Sequence, residues 1–189
     1  MPDRNRDSPG LAKSYKMYIY CILLSIVLTC YRLQKGGQGG NDMVIRLMGM
    51  MDYPQVHDLW DRIDGVSIHK PDDSHETIAR YLERNPTSSF VAIEDGEVVG
   101  VILSGHDGRR GYIYHACVDT PCQGTGLGRK LVEAALTALK KEGIHKVALV
   151  AFRENFSGKG FWSHLGWHKR EDLSYYDLEL IREEHPETE

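Results

Sequence analysis

GYIYHACV (111–118), DTPC (119–122), QGTGLG (123–128) and RKLVEAALTALKK (129–141) run together as an apolar strand, a glycine-rich turn and a helix. In the helical part Leu127, Leu131, Ala134, Ala135, Ala138 and Leu139 share one face, with Arg129, Lys130, Lys140 and Lys141 outside it. A strand that feeds a helix through glycines lets backbone N–H groups approach an anion, and the helix dipole adds about 0.3–1 kcal/mol per charge. The same glycines would also serve a plain tight turn that needs positive φ. Context has to separate the two.

Upstream, Val44 to Leu47 reads as an opening strand. Asp52 as N-cap, Pro54 just inside, and Val56, Leu59, Trp60 and Ile63 at helical spacing predict a helix over 53–63. A polar loop with Asp61, Asp64, Asp72 and Asp73 leads to a second helix from Ser74, with Ile78, Tyr81 and Leu82 on one stripe and Asn85-Pro86 ending it. From Phe90 the period changes to two. Phe90 to Ile93, the Asp95-Gly96 turn, Val98 to Ser104, the Asp107-Gly108 turn and Gly111 to Val118 predict three antiparallel strands. Downstream, Gly143 ends the glycine-led helix, Val147 to Ala151 is a strand and Glu154 to Leu165 a helix closed by Gly166. Trp167 to Arg170 and Ser174 to Leu180 are expected to close the sheet.

The 189-residue chain carries 23 Lys and Arg against 27 Asp and Glu, a formal charge of −4, which argues against a protein that grips nucleic acid. That charge is unevenly spread. Arg4, Arg6, Lys13, Lys16, Arg32 and Lys35 against Asp3, Asp7 and Asp42 give residues 1–42 a net +3, so the remainder carries −7. Met17 to Tyr31 is a 15-residue uncharged run between Lys16 and Arg32, followed by the flexible Gly36-Gly37-Gln38-Gly39-Gly40. As a helix it would be about 22 Å long, short of the roughly 30 Å hydrocarbon core. Three readings stand: a secretory signal with a poor cleavage site, a short membrane anchor, or a leader outside the working protein. The expected organisation is a leader and tether at 1–42, a domain at 43–182 and a polar tail at 183–189.

Four cysteines, two of them in the leader, fit a reducing compartment and a cytoplasmic protein, with membrane anchorage through 17–31 as the alternative. Cys117 and Cys122 have no second ligand pair, and His115 brings none, so no metal site is expected. His164 and His168 read as surface histidines, separated by Gly166.

The loop spacing is G-x-G-x-G, with Arg129 where a dinucleotide fingerprint needs its third glycine, and no P-loop lysine follows. Gln123-x-x-Gly126-x-Gly128, after a strand ending Ala116-Cys117-Val118-Asp119, resembles the acetyl-CoA signature of the GNAT superfamily of N-acetyltransferases. NFSGKGFWSHLGW (155–167) is similar to that family's last helix and turn, and Ile45-Arg46 through Leu59-Trp60 to its first strand and helix. The likeness covers residues 43 to 180 and is nearest the small single-domain bacterial branch. It implies an α/β fold with a mixed, mostly antiparallel sheet, a central splayed strand pair and about four flanking helices, so that 43–182 would be an acyltransferase domain.

By that resemblance the backbone at Ala116, Cys117 and Val118 would pair with the pantetheine arm of acetyl-CoA. Gln123, Gly124, Thr125, Gly126, Leu127, Gly128 and Arg129 would hold the pyrophosphate, and Asn155 would lie near the thiol. The implied reaction is acetyl transfer from acetyl-CoA, as co-substrate, to a primary amine by direct attack in a ternary complex. Small amines, polyamines, amino acids, aminoglycosides and peptide or protein amines all remain open as acceptors, as does a homodimer.

The chain departs from the family at its proton carriers. Trp162 stands where the family's tyrosine acid is usual, and an indole N–H does not protonate a leaving thiolate. Val150 and Tyr112 stand where different members carry a glutamate base. Tyr112 and Tyr114 match positions where arylalkylamine-acetylating relatives carry histidine, and alternate onto one strand face where they would line a path draining the proton, or simply pack. Strand alternation puts His115 on the opposite face. Glu94 reads as a strand-end charge, and the acids at 61, 64, 72 and 73 as a weak field favouring a cationic acceptor. The missing acid also admits a CoA-binding sensor or partner module without turnover.

Overall fold

The computed structural model describes residues 43–180; the leader, the apolar run at 17–31 and the tail lie outside the described residues. One sheet runs in the order β1 (Val44–Leu47), β2 (Phe90–Glu94), β3 (Glu97–His106), β4 (Gly111–Val118) and β5 (Val147–Leu149). The first four are antiparallel neighbours, and β5 joins β4 in parallel. Among the described residues four α-helices flank them: α1 (Tyr53–Arg62), α2 (His75–Arg84), α3 (Leu127–Lys141) and α4 (Phe156–His164).

Local chemistry explains most of these boundaries. Asp95 (φ 51°) and Gly96 (φ 93°) turn the β2–β3 hairpin with both residues left-handed, the geometry that matches strand twist. Ser74 caps α2, its hydroxyl accepting from the Thr77 N–H at 3.3 Å. Asp52 departs from expectation. Its carboxylate does not cap α1 but accepts Arg46 Nη1 and Nη2 at 2.7 and 2.6 Å and the Gly49 N–H at 2.9 Å, so β1 is pinned to the start of α1 by a two-pronged ion pair.

The two faces of the sheet bury separate cores. On one, Val56, Leu59 and Trp60 of α1 and Ile78 of α2 cover Val91, Val101, Leu103 and Cys117. On the other, Leu127, Leu131, Val132 and Ala135 of α3 cover Ala92, Ile102 and Ile113, with Phe161, Trp162 and Trp167 at the margin. The buried stripe of α3 includes Val132. Ala134 and Ala138, expected inside, sit half-buried beside Leu47 and Phe90.

Two features of β4 shape everything downstream. Its pairing with β5 spans Gly111↔Val147, Tyr112↔Ala148 and Ile113↔Leu149 and then stops, while β4 continues to Val118. The strands part there. On the other side, Leu103 faces His115 while Ser104 faces Ile113, so Tyr114 is an extra residue, a β-bulge.

The expected closing strands are absent: residues 167–180 contain no strand. Leu173, Tyr175, Tyr176, Leu178 and Leu180 are all exposed, so neither alternate set of side chains finds a layer to bury against. The three-residue β5 is also a short edge on which to add a strand.

Candidate active site

The glycine loop is built for close approach from outside. Gly124 (φ 75°) and Gly126 (φ 86°) are left-handed, and a Cβ on either would meet nothing within 4 Å. Space above the loop is therefore open, and the first-turn N–H groups of α3 have no intrahelical acceptor. Gly126 is the N-cap of α3, and a glycine there takes the left-handed conformation without strain. Gly128 has another reason: its Cβ would stand 3.2 Å from the Phe161 ring, so it lets α4 pack against the start of α3.

Side chains brace this turn rather than point out of it. Gln123 Nε2 donates to the Val118 carbonyl at 2.9 Å and the Thr125 hydroxyl to the Cys122 carbonyl at 2.7 Å. Asp119 accepts from the Thr120 N–H at 2.9 Å and from Arg62 Nη2 at 2.8 Å, tying the loop to the last turn of α1. The Arg62 hydrogen bond holds the Asp119 carboxyl below its ordinary value against a smaller push from burial. Leu127 is buried in the α3 core and Arg129 is exposed. Ala116, Cys117 and Val118 lie on the stretch of β4 beyond its β5 partner. Burial pushes the Cys117 thiol up to about 12, so it is a packing group and not a nucleophile. The Cys122 thiol donates to Glu94 at 3.6 Å, so Glu94 is engaged with the loop.

On the α1–α2 face the bulge alters the expected geometry. Tyr112 and Tyr114 do come together, ring centroids 4.7 Å apart, and Tyr114 meets Tyr81 of α2 edge-on at 5.6 Å. Burial first, and Tyr175 second, raise both phenols above their ordinary value. His115 is not on the opposite face. The extra residue returns it to the same side, where its ring lies 4.6 Å from Trp60 and its Nε2 is 2.8 Å from Asp73 Oδ1.

Asp73 departs from the expected run of solvated acids. It is 6% exposed, whereas Asp61, Asp64 and Asp72 are open to solvent. Burial pushes its carboxyl up, but hydrogen bonds from His115 and the His69 N–H, the latter at 2.8 Å, outweigh that and hold it below its ordinary value. Sequence reading passed over this pair because the two residues are 42 positions apart. The only local signals were a histidine in an apolar strand and an aspartate just before a helix cap.

Asn155 caps α4, its Oδ1 accepting from the Gly158 N–H at 2.7 Å. Its amide nitrogen rests against Gly65 of the α1–α2 loop, where a Cβ would come within 2.5 Å of it, so the loop closes over the start of α4. Trp162 sits edge-on between Phe161 and Trp167 at 5.0 and 5.2 Å, in the role of a packing aromatic. Among the described residues no cluster of three potential metal ligands occurs, and no helix is long and apolar enough to cross a membrane.

Comparison with known proteins gives this geometry its context. A family described as acetyltransferase (GNAT) matches residues 53–167. The acetyltransferase ECA0875 of Pectobacterium atrosepticum is 31% identical over 124 residues, covering 65% of this chain and 86% of that protein. Among solved structures, the aminoglycoside N-acetyltransferase AAC(6')-Iy in complex with CoA superposes with a TM-score of 0.59 at 17% identity, covering 75% of this chain and 98% of that one. Ard1 from Thermoplasma volcanium gives 0.58 at 21% identity over 66% and 81% of the two chains. At these identities the structural matches speak for the fold.

Proposed function

The chain belongs to the GNAT acetyltransferase family, whose co-substrate is acetyl-CoA, and we propose that its 43–182 domain acetylates a primary amine by direct attack in a ternary complex. The observation that carries this reading is the parting of β4 from β5 beside the glycine loop: an unpaired strand edge leads straight to an open helix N-terminus. In this reading the backbone of Ala116, Cys117 and Val118 pairs with the pantetheine arm. The N–H groups of Gly124 through Arg129 hold the pyrophosphate, with Gln123 and Thr125 bracing the turn, and Asn155 lies at the thiol end.

The chemistry asks for a neutral amine, donors at the developing oxyanion and a proton for the departing sulfur. A backbone N–H near Val118 serves the oxyanion. Tyr112 and Tyr114, with phenols raised above their ordinary value, stay protonated at neutral pH and so act as donors toward the thiolate. The exposed Asp61, Asp64 and Asp72 favour a cationic acceptor. Cys117 and Cys122 are free thiols, which fits a cytoplasmic setting.

Calorimetry of the full chain with acetyl-CoA tests the binding half: saturable binding is expected, and no heat at millimolar ligand would sink the proposal. Thiol release from acetyl-CoA in the presence of tyramine, spermidine, neamine or an unblocked peptide tests the transfer half. Trp162, packed where a tyrosine acid is usual in the family, favours one rival, a CoA-binding module without turnover. Tight binding with no thiol release from any of the four would favour that rival; steady release with one excludes it.

A further inference from the structure

The proton donors above leave one role unfilled, because a cationic amine must lose a proton before it can attack and neither raised phenol accepts one at neutral pH. His115 has the geometry for that role. A buried, ionised Asp73 only accepts hydrogen bonds, so the Nε2 facing it at 2.8 Å carries the hydrogen, and in the neutral ring Nδ1 is left with its lone pair. The carboxylate is itself fixed. Its Oδ2 accepts the His69 N–H at 2.8 Å, its backbone carbonyl accepts the Tyr53 hydroxyl at 2.8 Å, and the Trp60 face supports the imidazole. Among the described residues the sealed, unpartnered side-chain polar atoms are Trp60 Nε1 and the Tyr81 hydroxyl. The His115 side chain keeps 15% of its surface open to solvent. The residue also lies on the stretch of β4 that β5 has left, where the co-substrate arm is placed.

We propose that His115 is the general base of the reaction, taking the acceptor ammonium's proton on Nδ1, and that Asp73 is the positioning residue that fixes its tautomer. This rests on the acetyl-transfer reading. The ammonium gives one proton to Nδ1, leaving a neutral amine and an imidazolium paired with Asp73. The nitrogen lone pair forms the C–N bond as the C–S bond breaks; a Tyr112 or Tyr114 phenol gives its proton to the departing thiolate and recovers one from the newly acylated nitrogen, which sheds its second proton. His115 then returns its proton to water. The titratable groups around the ring are Asp73, with His69 and Tyr53 behind it, Cys117 two residues along the strand with Arg62 beyond, and the adjacent Tyr114. Asp73 is the one hydrogen-bonded to it.

Two variants of the full chain test this. His115→Gln removes the base; Asp73→Asn keeps the shape but presents an amide N–H to Nε2, forcing the hydrogen onto Nδ1. With the probe amine that the wild type turns over fastest among tyramine, spermidine, neamine and an unblocked peptide, kcat should fall about 100-fold or more in both. The acidic limb of the kcat/KM profile, where the rate rises with pH as the imidazole loses its proton, should vanish in His115→Gln. Acetyl-CoA affinity should stay within about 3-fold, since neither side chain belongs to the cradle. A His115→Gln enzyme with wild-type kcat and an intact acidic limb overturns the proposal. If the wild type releases no thiol with any probe, the acetyl-transfer reading fails by itself, and the imidazole nitrogen shifts of the free protein decide the pair. An Nε2-protonated ring that switches tautomer in Asp73→Asn supports it, and an Nδ1-protonated ring in the wild type overturns it.

Discussion

The two faces of the central sheet are built on different logic. On the α3 face everything that matters lies within one continuous stretch: strand, glycine turn, helix N-terminus and the buried Leu127, Leu131 and Ala135 follow one another in the chain. The contacts that α1, α2 and the loop between them make come from distant places. Asp73 meets His115, Arg62 meets Asp119 across 57 positions, and Gly65 meets Asn155. In the proposed reading the co-substrate is held by backbone N–H groups, which any sequence possesses, whereas the amine is met by specific side chains placed by packing. On that reading one face would keep its function through many substitutions that would end the function of the other.

Substitutions that unsettle one face while sparing the other sharpen this contrast. The largest effect is expected from Trp60→Ala, which empties a fully buried site under His115 and should cost about 3–5 kcal/mol in chemical denaturation. Leu131→Ala is its counterpart on the α3 face, at about 2–5 kcal/mol, and the protein that remains folded should still orient His115, as its imidazole nitrogen shifts would report. Gly126→Val comes next. A β-branched residue at φ 86° above an open cradle should weaken acetyl-CoA binding about 100-fold by calorimetry, with a cooperative melt retained and little change in the His115–Asp73 pair.

Gly65→Ala strikes the other side. The left-handed φ and the 2.5 Å approach to Asn155 should cost about 1–3 kcal/mol and, by displacing Asn155, raise KM for acetyl-CoA more than for the amine. The smallest effect is expected from Arg62→Gln, which frees Asp119 at a largely exposed ion pair and should cost about 0.5 kcal/mol. Its pH dependence has a definite sign. The folded-state Asp119 carboxyl is held below its unfolded value, so the contribution is present above the unfolded pKa of about 3.9 and disappears as pH falls through the folded one. A stability gap between wild type and variant that persists at pH 2 would contradict that assignment.

How far the residues announced their structure follows the same division. The three-strand meander, the hairpin at Asp95-Gly96, the Ser74 cap and the helix from Leu127 were legible because each is a local choice of turn chemistry or periodicity. The sheet's ending was not. Alternating Tyr176, Leu178 and Leu180 look like a strand, yet strand formation needs a neighbour to pair with, and β5 offers three residues. Asp52 has the identity of a cap but lies within reach of Arg46, a stronger partner than a helix N–H.

His115 is the clearest instance of what was hidden. Simple alternation sends it away from Tyr112 and Tyr114, and only a one-residue bulge at Tyr114, visible in the pairing with Leu103 and Ser104, brings all three to one side. No periodicity in GYIYHACV marks that extra residue, since a bulge is fixed by the partner strand's register as much as by its own sequence.

By itself, then, the sequence determined the strand, turn and helix of the α3 face, where the proposed reading holds the co-substrate: apolar periodicity, left-handed glycines and an amphipathic helix are fixed by short-range sterics and dipoles. Only the tertiary structure decided the α1–α2 face. There the parting of β4 from β5, the bulge at Tyr114 and the burial of Asp73 against His115 depend on which distant segments pack together, and burial is what turns a loop aspartate into the partner of a histidine.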